Sequence, residues 1–266
     1  YYYPVEFMAA LLTSVIDNSG KVAEYIYSCR QMGIQILPPD INKSVGTFSV
    51  ENGNIRFGLT AIKSVGRPVI QAIIEERKER GEFKHLKDFI ERMGGREVNK
   101  RTIENFIKAG VFDSLGGTRK QFMMIYIQIM DQVNQERKYS MTGQMSLFDL
   151  VDDEQKKEFE IPLPKVGEYE KENKLAFEKE VLGVYLTGHP LEDYEEKWKK
   201  SISRTTLDFQ IDDEIGRSRV RDGAKEIVGG MITNKTIKYT RNNKTMAFLT
   251  IEDLMGTVEV VVFPRD

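Results

Sequence analysis

The chain has 266 residues, 40% of them hydrophobic and 30% charged, with a formal net charge of −2. That length suits one large domain or two to three small ones, and no apolar run approaches the ~20 residues of a membrane span; no leader pattern of basic start and small-residue cleavage site is present either. A single cysteine, Cys29, excludes an internal disulfide, so a reducing cytoplasm is the expected setting and a core thiol the expected role.

The small net charge conceals segregation. Residues 55–140 carry 17 Lys/Arg against 11 Asp/Glu, whereas residues 149–181 carry 11 acids against 6 lysines. A basic block followed by an acidic one suggests a polyanion-binding module joined to a solvated connector, with ordinary helical surface as the alternative. The chain opens on Tyr1-Tyr2-Tyr3-Pro4 and closes on Phe263-Pro264-Arg265-Asp266, soon after a β-rich run, and reads as a piece of a longer protein.

In chain order, Pro4 suits the first turn of a helix, carried on by Met8, Leu11, Leu12 and Val15. Val22, Tyr25, Ile26 and Cys29 mark a second helix that Gly33 closes. Residues 33–40 are extended, since Pro38 and Pro39 disfavour helix before them. Phe48–Val50 and Ile55–Phe57 flank Asn52-Gly53, a strong β-turn signal. From Gly58 to about Asn134 short helices alternate with glycine turns. Residues 135–175 lose periodicity and gain charge and prolines, as a linker does, and helix returns at Leu175–Leu186. Beyond Gly223 the texture is β: Glu226–Ile232, Thr245–Ile251 and Thr257–Phe263, punctuated at Asn242-Asn243 and Met255-Gly256.

Gly58–Ile70 has the form of a helix-hairpin-helix. A short helix runs into a tight turn at Val65-Gly66, where glycine admits backbone angles closed to other residues, and a second helix begins near Pro68. Free amides and a helix N-terminus suit a phosphate oxygen, so Lys63, Ser64, Val65, Gly66 and Arg67 are candidate DNA contacts of the kind that fix position without reading bases. An ordinary helix pair is the alternative. A second hairpin follows: helix Asn99–Lys108, turn Ala109–Asp113, and a further helix opened by Thr118-Arg119-Lys120. Lys108, Ala109, Gly110, Arg119 and Lys120 are its candidate contacts, and a tandem pair could grip one duplex along its phosphates.

Gln144-Met145-Ser146-Leu147-Phe148 is patterned like peptides that dock on sliding clamps: an amide for a polar rim, then two apolar side chains for adjacent pockets. Burying each offers about 1.5–3 kcal/mol, and tethering to a DNA-bound protein raises the effective concentration; a local cluster with Leu150 and Val151 is the alternative. The final strands, with Lys235, Lys238, Tyr239, Arg241 and Lys244 about the first turn, look like the opening of an OB-fold, three strands of five, whose basic aromatic face takes single-stranded nucleic acid. Tyr239 and Phe248 are candidate stacking residues, with an ordinary surface or core place as the alternative for either. No Asp-x-Asp pair suits two-metal phosphoryl transfer, no phosphate-binding glycine loop is present, and His85, His189 and Cys29 lie too far apart in sequence for a zinc site. Catalytic and metal-ligating residues are therefore expected to be absent.

In this order the segments resemble the bacterial DNA polymerase III alpha-subunit (C-family) polymerases. The resemblance rests on Tyr3–Leu12, Pro38–Asn42, Phe57–Lys63, Ala109–Asp113, Glu178–Gly183, Gly188–Leu191, Met246–Phe248 and Ile251–Asp253. It implies a mainly α, multidomain α+β chain: the end of a fingers domain (1–54), a tandem helix-hairpin-helix domain on duplex (55–135), a linker with the clamp-binding peptide (136–174), a helical connector (175–222) and the start of an OB domain (223–266). It implies duplex DNA, the beta sliding clamp, single-stranded template and other replisome subunits as partners, and no membrane. The catalytic palm would lie upstream, so the parent would polymerise with Mg2+ while this piece would need no cofactor and be inactive alone. Two other classes stand beside it: a helix-hairpin-helix/OB module of a repair enzyme such as an NAD-dependent ligase, and an interaction scaffold without a DNA role. The helical start through Asp40 and the Gln144–Phe148 peptide separate the first reading from the ligase.

Overall fold

A computed structural model describes residues 2–94, 98–141, 161–211 and 216–264. It divides into two compact units, residues 1–187 and 188–266. The chain is α+β, as expected: eight α-helices and six strands occur among the described residues.

Pro4 occupies the first turn of α1 (Pro4–Ser14), which buries Met8, Ala9 and Leu12. Asn18 caps α2 (Ser19–Gln31) by accepting a hydrogen bond from the Lys21 amide at 3.1 Å, the usual way to satisfy an orphan helix donor. Val22, Ile26 and Cys29 form the buried stripe of α2. Burial pushes the Cys29 thiol up to about 11, so it is a core group rather than a nucleophile. A small sheet follows, in the order β1 (Ile36–Leu37), β3 (Asn54–Arg56), β2 (Ser49–Glu51). The antiparallel pair β2–β3 turns at Asn52-Gly53, where both residues have positive φ (51° and 76°). This is the geometry for which an Asn-Gly pair is selected.

Five helices complete the first unit: α3 (Arg67–Arg80), α4 (Leu86–Met93), α5 (Lys100–Ala109), α6 (Arg119–Met141) and α7 (Lys171–Leu182). At their centre, Phe89 meets Phe83, Phe106 and Phe112 at centroid separations of 5.1, 6.2 and 5.0 Å. These tilted and edge-on contacts add to the area the rings bury. One continuous apolar core runs from α1 through α6 and takes in Val181, Leu182, Val184 and Leu186. The expected boundary at 54/55 therefore crosses a shared core, and helix α7, expected in a separate connector, packs against α5.

In the second unit α8 (Glu195–Ser201) buries Trp198, whose indole N–H donates to the Gly229 carbonyl at 2.6 Å. Strands β4 (Met231–Tyr239), β5 (Thr245–Glu252) and β6 (Thr257–Val262) form an antiparallel meander. The turn after β5 is built on buried Asp253. Its carboxylate accepts from the Met255 and Gly256 amides and from the amide and hydroxyl of Thr206.

Candidate nucleic-acid interface

The first hairpin begins with one 3-10 turn, Leu59–Ala61, in place of the expected short helix, and enters α3 at Arg67. Its special backbone position is not the expected glycine. Gly66 has φ −73°, open to any residue, and an added Cβ there would meet only the Pro68 ring at 3.6 Å. Ser64 instead takes the left-handed conformation, φ 61°, which disfavours a residue with a Cβ by about 1–2 kcal/mol. The peptide before it is fastened on both sides. The Lys63 N–H donates to the Val181 carbonyl and the Lys63 carbonyl accepts from the Asn105 side-chain amide, each at 2.8 Å.

Lys63, Ser64, Gly66 and Arg67 are exposed, while the Val65 side chain enters the core, so that Val65 can offer a ligand only its backbone. Among the described residues the amides of Ser64, Val65, Gly66 and Arg67 have no protein acceptor, and no side chain caps α3. Arg67 lies 3.6 Å from Asp17, but both side chains stand mostly in water, where such a pair contributes little. Beside the turn lies a cleft of about 250 Å³ lined by Asp17, Ser19, Thr60, Lys63, Ser64 and Leu182 among others.

The second hairpin is built from the same parts and ends differently. Asn99 caps α5 by accepting from the Thr102 amide at 2.9 Å, and Gly110 ends that helix in the left-handed conformation, φ 79°. Gly110 is buried under the guanidinium of Arg119, which leaves no room for a Cβ. Arg119 is only 2% exposed. Its Nε and Nη2 donate to Asp113 at 2.9–3.1 Å, and its Nη1 to Glu178 at 3.3 Å and the Lys108 carbonyl at 3.2 Å. Lys108 is held by Glu104 at 2.9 Å and Glu180 at 2.8 Å. Burial lowers its pKa, but these two carboxylates outweigh burial and leave it above the ordinary lysine value.

The N-terminus of α6 is filled as well. Thr118 and Gln121 cap each other reciprocally, the capping-box arrangement. The amides of Arg119 and Lys120 both donate to Glu168, at 3.2 Å each. A carboxylate thus sits where a helix N-terminus would receive an external anion. The half-buried Lys120 has its ammonium 5.8 Å from the Tyr169 ring centroid.

Four candidate contacts of this hairpin are accordingly buried or already paired within the protein. Ala109 and Gly110 are buried, and Arg119 is buried and committed to internal carboxylates; Lys108 is committed in the same way. Their more distant partners, Glu168, Glu178 and Glu180, lie 49 to 72 residues away in the chain.

The β-strand candidates Lys235, Lys238, Tyr239, Arg241 and Lys244 are exposed. The register separates them, because Thr236 faces Phe248, Lys238 faces Met246 and Tyr239 faces Thr245. Directly paired residues share a face and successive residues alternate, so Lys238 and Phe248 lie on one face and Lys235 and Tyr239 on the other. The Lys238 ammonium sits 4.9 Å from the Phe248 ring centroid. Tyr239 and Phe248 therefore lie on opposite faces of the sheet. The peptide Gln144–Phe148 lies outside the described residues. No helix among those described is long and apolar enough to cross a membrane.

These two hairpins define the class: residues 33–122 match the family model described as "Helix-hairpin-helix motif". Over 99% of its length the chain is 36% identical to the DNA polymerase III subunit alpha of Saccharopolyspora erythraea, and to that of Mycobacterium tuberculosis; over 98% it is 35% identical to that of Vibrio cholerae. The chain spans 22% of the length of each of these relatives. It belongs, as a segment, to the DNA polymerase III alpha-subunit family.

Proposed function

We propose that this stretch holds duplex DNA and tethers a replicative polymerase to its sliding clamp, and that its grip on the duplex is exerted by the first hairpin. The observation that carries the reading is the run of amides from Ser64 to Arg67, without protein acceptors among the described residues and set between the exposed cations Lys63 and Arg67. Such a loop offers hydrogen-bond donors and positive charge to a phosphate together. No catalytic residue and no metal are assigned to this stretch. DNA-directed polymerisation, with Mg2+, is assigned to a longer cytoplasmic protein working with other replisome subunits.

The clamp role rests on the pattern Gln144-Met145-Ser146-Leu147-Phe148. The OB reading rests on the three-stranded meander and on the exposed cations Arg241 and Lys244 at its first turn, which would meet single-stranded template. Fluorescence anisotropy with a random-sequence duplex tests the first role: Lys63→Ala with Arg67→Ala weakens binding, and an unchanged affinity rejects it. Capture on immobilised clamp tests the second: Leu147→Ala with Phe148→Ala loses capture while helix content is kept, and undiminished capture rejects it.

A further inference from the structure

We infer that Asn105 is a positioning residue for the first hairpin's phosphate grip, acting from the helix of the second hairpin; this rests on the duplex-binding reading above. Ser64 is one of three non-glycine residues with positive φ among those described, and the other two, Asn52 and Asn243, are asparagines in β-turns. Asparagine enters the left-handed region readily and serine does not. A serine held there needs surroundings that over-determine the conformation.

Tertiary contacts supply those surroundings. Asn105 is buried on α5, and its side-chain amide reaches 42 residues back in the chain to the Lys63 carbonyl at 2.8 Å. The Lys63 amide is tied to Val181, in the last turn of α7, at 2.8 Å. The two bonds fix the peptide units on either side of the Lys63 Cα, immediately before Ser64. They set the direction in which the following amides leave the turn, and those are the amides without protein acceptors. Asn105 is buried and bonded to the Lys63 carbonyl, so its action runs through the loop. The second hairpin, whose Lys108, Arg119 and leading α6 amides are occupied, thereby serves as the mould for the first.

The test uses the 266-residue chain and a random-sequence duplex. Asn105→Ala is expected to lower affinity about fivefold, the scale of one net hydrogen bond. In a Lys63→Ala, Arg67→Ala background a loss should remain, because the amides of residues 64–67 are still present. Adding Ser64→Gly to Asn105→Ala is expected to recover most of the affinity, because glycine adopts the required φ unaided; a purely structural loss would not recover. Ser64→Val, on an exposed side chain, should mimic Asn105→Ala without involving the core, which keeps the test valid should Asn105→Ala unfold. Full affinity in Ser64→Val, or no recovery when Ser64→Gly is added to Asn105→Ala, overturns the inference alone. An unchanged affinity in Lys63→Ala, Arg67→Ala overturns the duplex reading and this inference with it.

Discussion

Two hairpins of one motif lie in one unit of this chain, and they differ in how far their cations and helix-start amides are occupied. In the first, Lys63 and Arg67 project into water and the amides of residues 64–67 are unclaimed. In the second, Lys108, Arg119 and the leading amides of α6 are claimed by Glu180, Glu178 and Glu168. Part of the difference lies inside the second motif, where Glu104 holds Lys108 and Asp113 holds Arg119. The rest lies outside it: Glu168, Glu178 and Glu180 come from one stretch, residues 168–180, laid against α5 and the start of α6. A helix-hairpin-helix is therefore a scaffold for anion binding, and whether it binds depends on which segment of its own protein reaches it first.

The contrast can be broken at several points. The largest effect is expected from Arg119→Met. Removing one partner of a buried ion pair leaves the other uncompensated, so stability should fall by about 3–5 kcal/mol in urea titration. The duplex affinity of the folded fraction should be unchanged; a specific loss of binding without loss of stability would place Arg119 on DNA after all. Next, Glu168→Ala takes the carboxylate from the N-terminus of α6 and should cost about 1 kcal/mol, read as a lower urea midpoint at constant m-value. Stability equal to wild type would show that Glu168 does not seal the second hairpin. The smallest effect is expected at Asp17, beside Arg67. Asp17→Asn removes an exposed competitor for that guanidinium and should raise duplex affinity about twofold at low salt. A fall in affinity would mean that Asp17 orients Arg67 rather than competing for it.

Much of the framework was legible in the residues. Pro4 placed the start of α1, Asn52-Gly53 placed the β-turn, and the spacing of Val22, Ile26 and Cys29 gave the buried face of α2, because each signal is local. The Thr118–Gln121 capping box was equally local, yet its meaning, a helix start already satisfied, is complete only with Glu168, 48 residues onward from Lys120. The split of Lys235 and Tyr239 from Lys238 was readable from odd and even spacing along a strand. It needed only the cross-strand register to show that Phe248 falls beside Lys238. What the sequence could not convey was the burial of Arg119. A basic residue opening a helix reads as a phosphate ligand until Glu178 is seen 59 positions away. Nor could it convey that Ser64, rather than Gly66, bears the strained backbone, since that conformation is imposed by Asn105 and Val181 through tertiary contact.

The asymmetry between the hairpins is tested most directly by the salt dependence of duplex binding in two single variants, Lys63→Ala and Lys108→Ala. Each phosphate contact contributes about 0.9 to the slope of log K against log salt. The account predicts that Lys63→Ala flattens the slope by about that amount while Lys108→Ala leaves it at the wild-type value. Equal flattening by both, or flattening by Lys108→Ala alone, would contradict it.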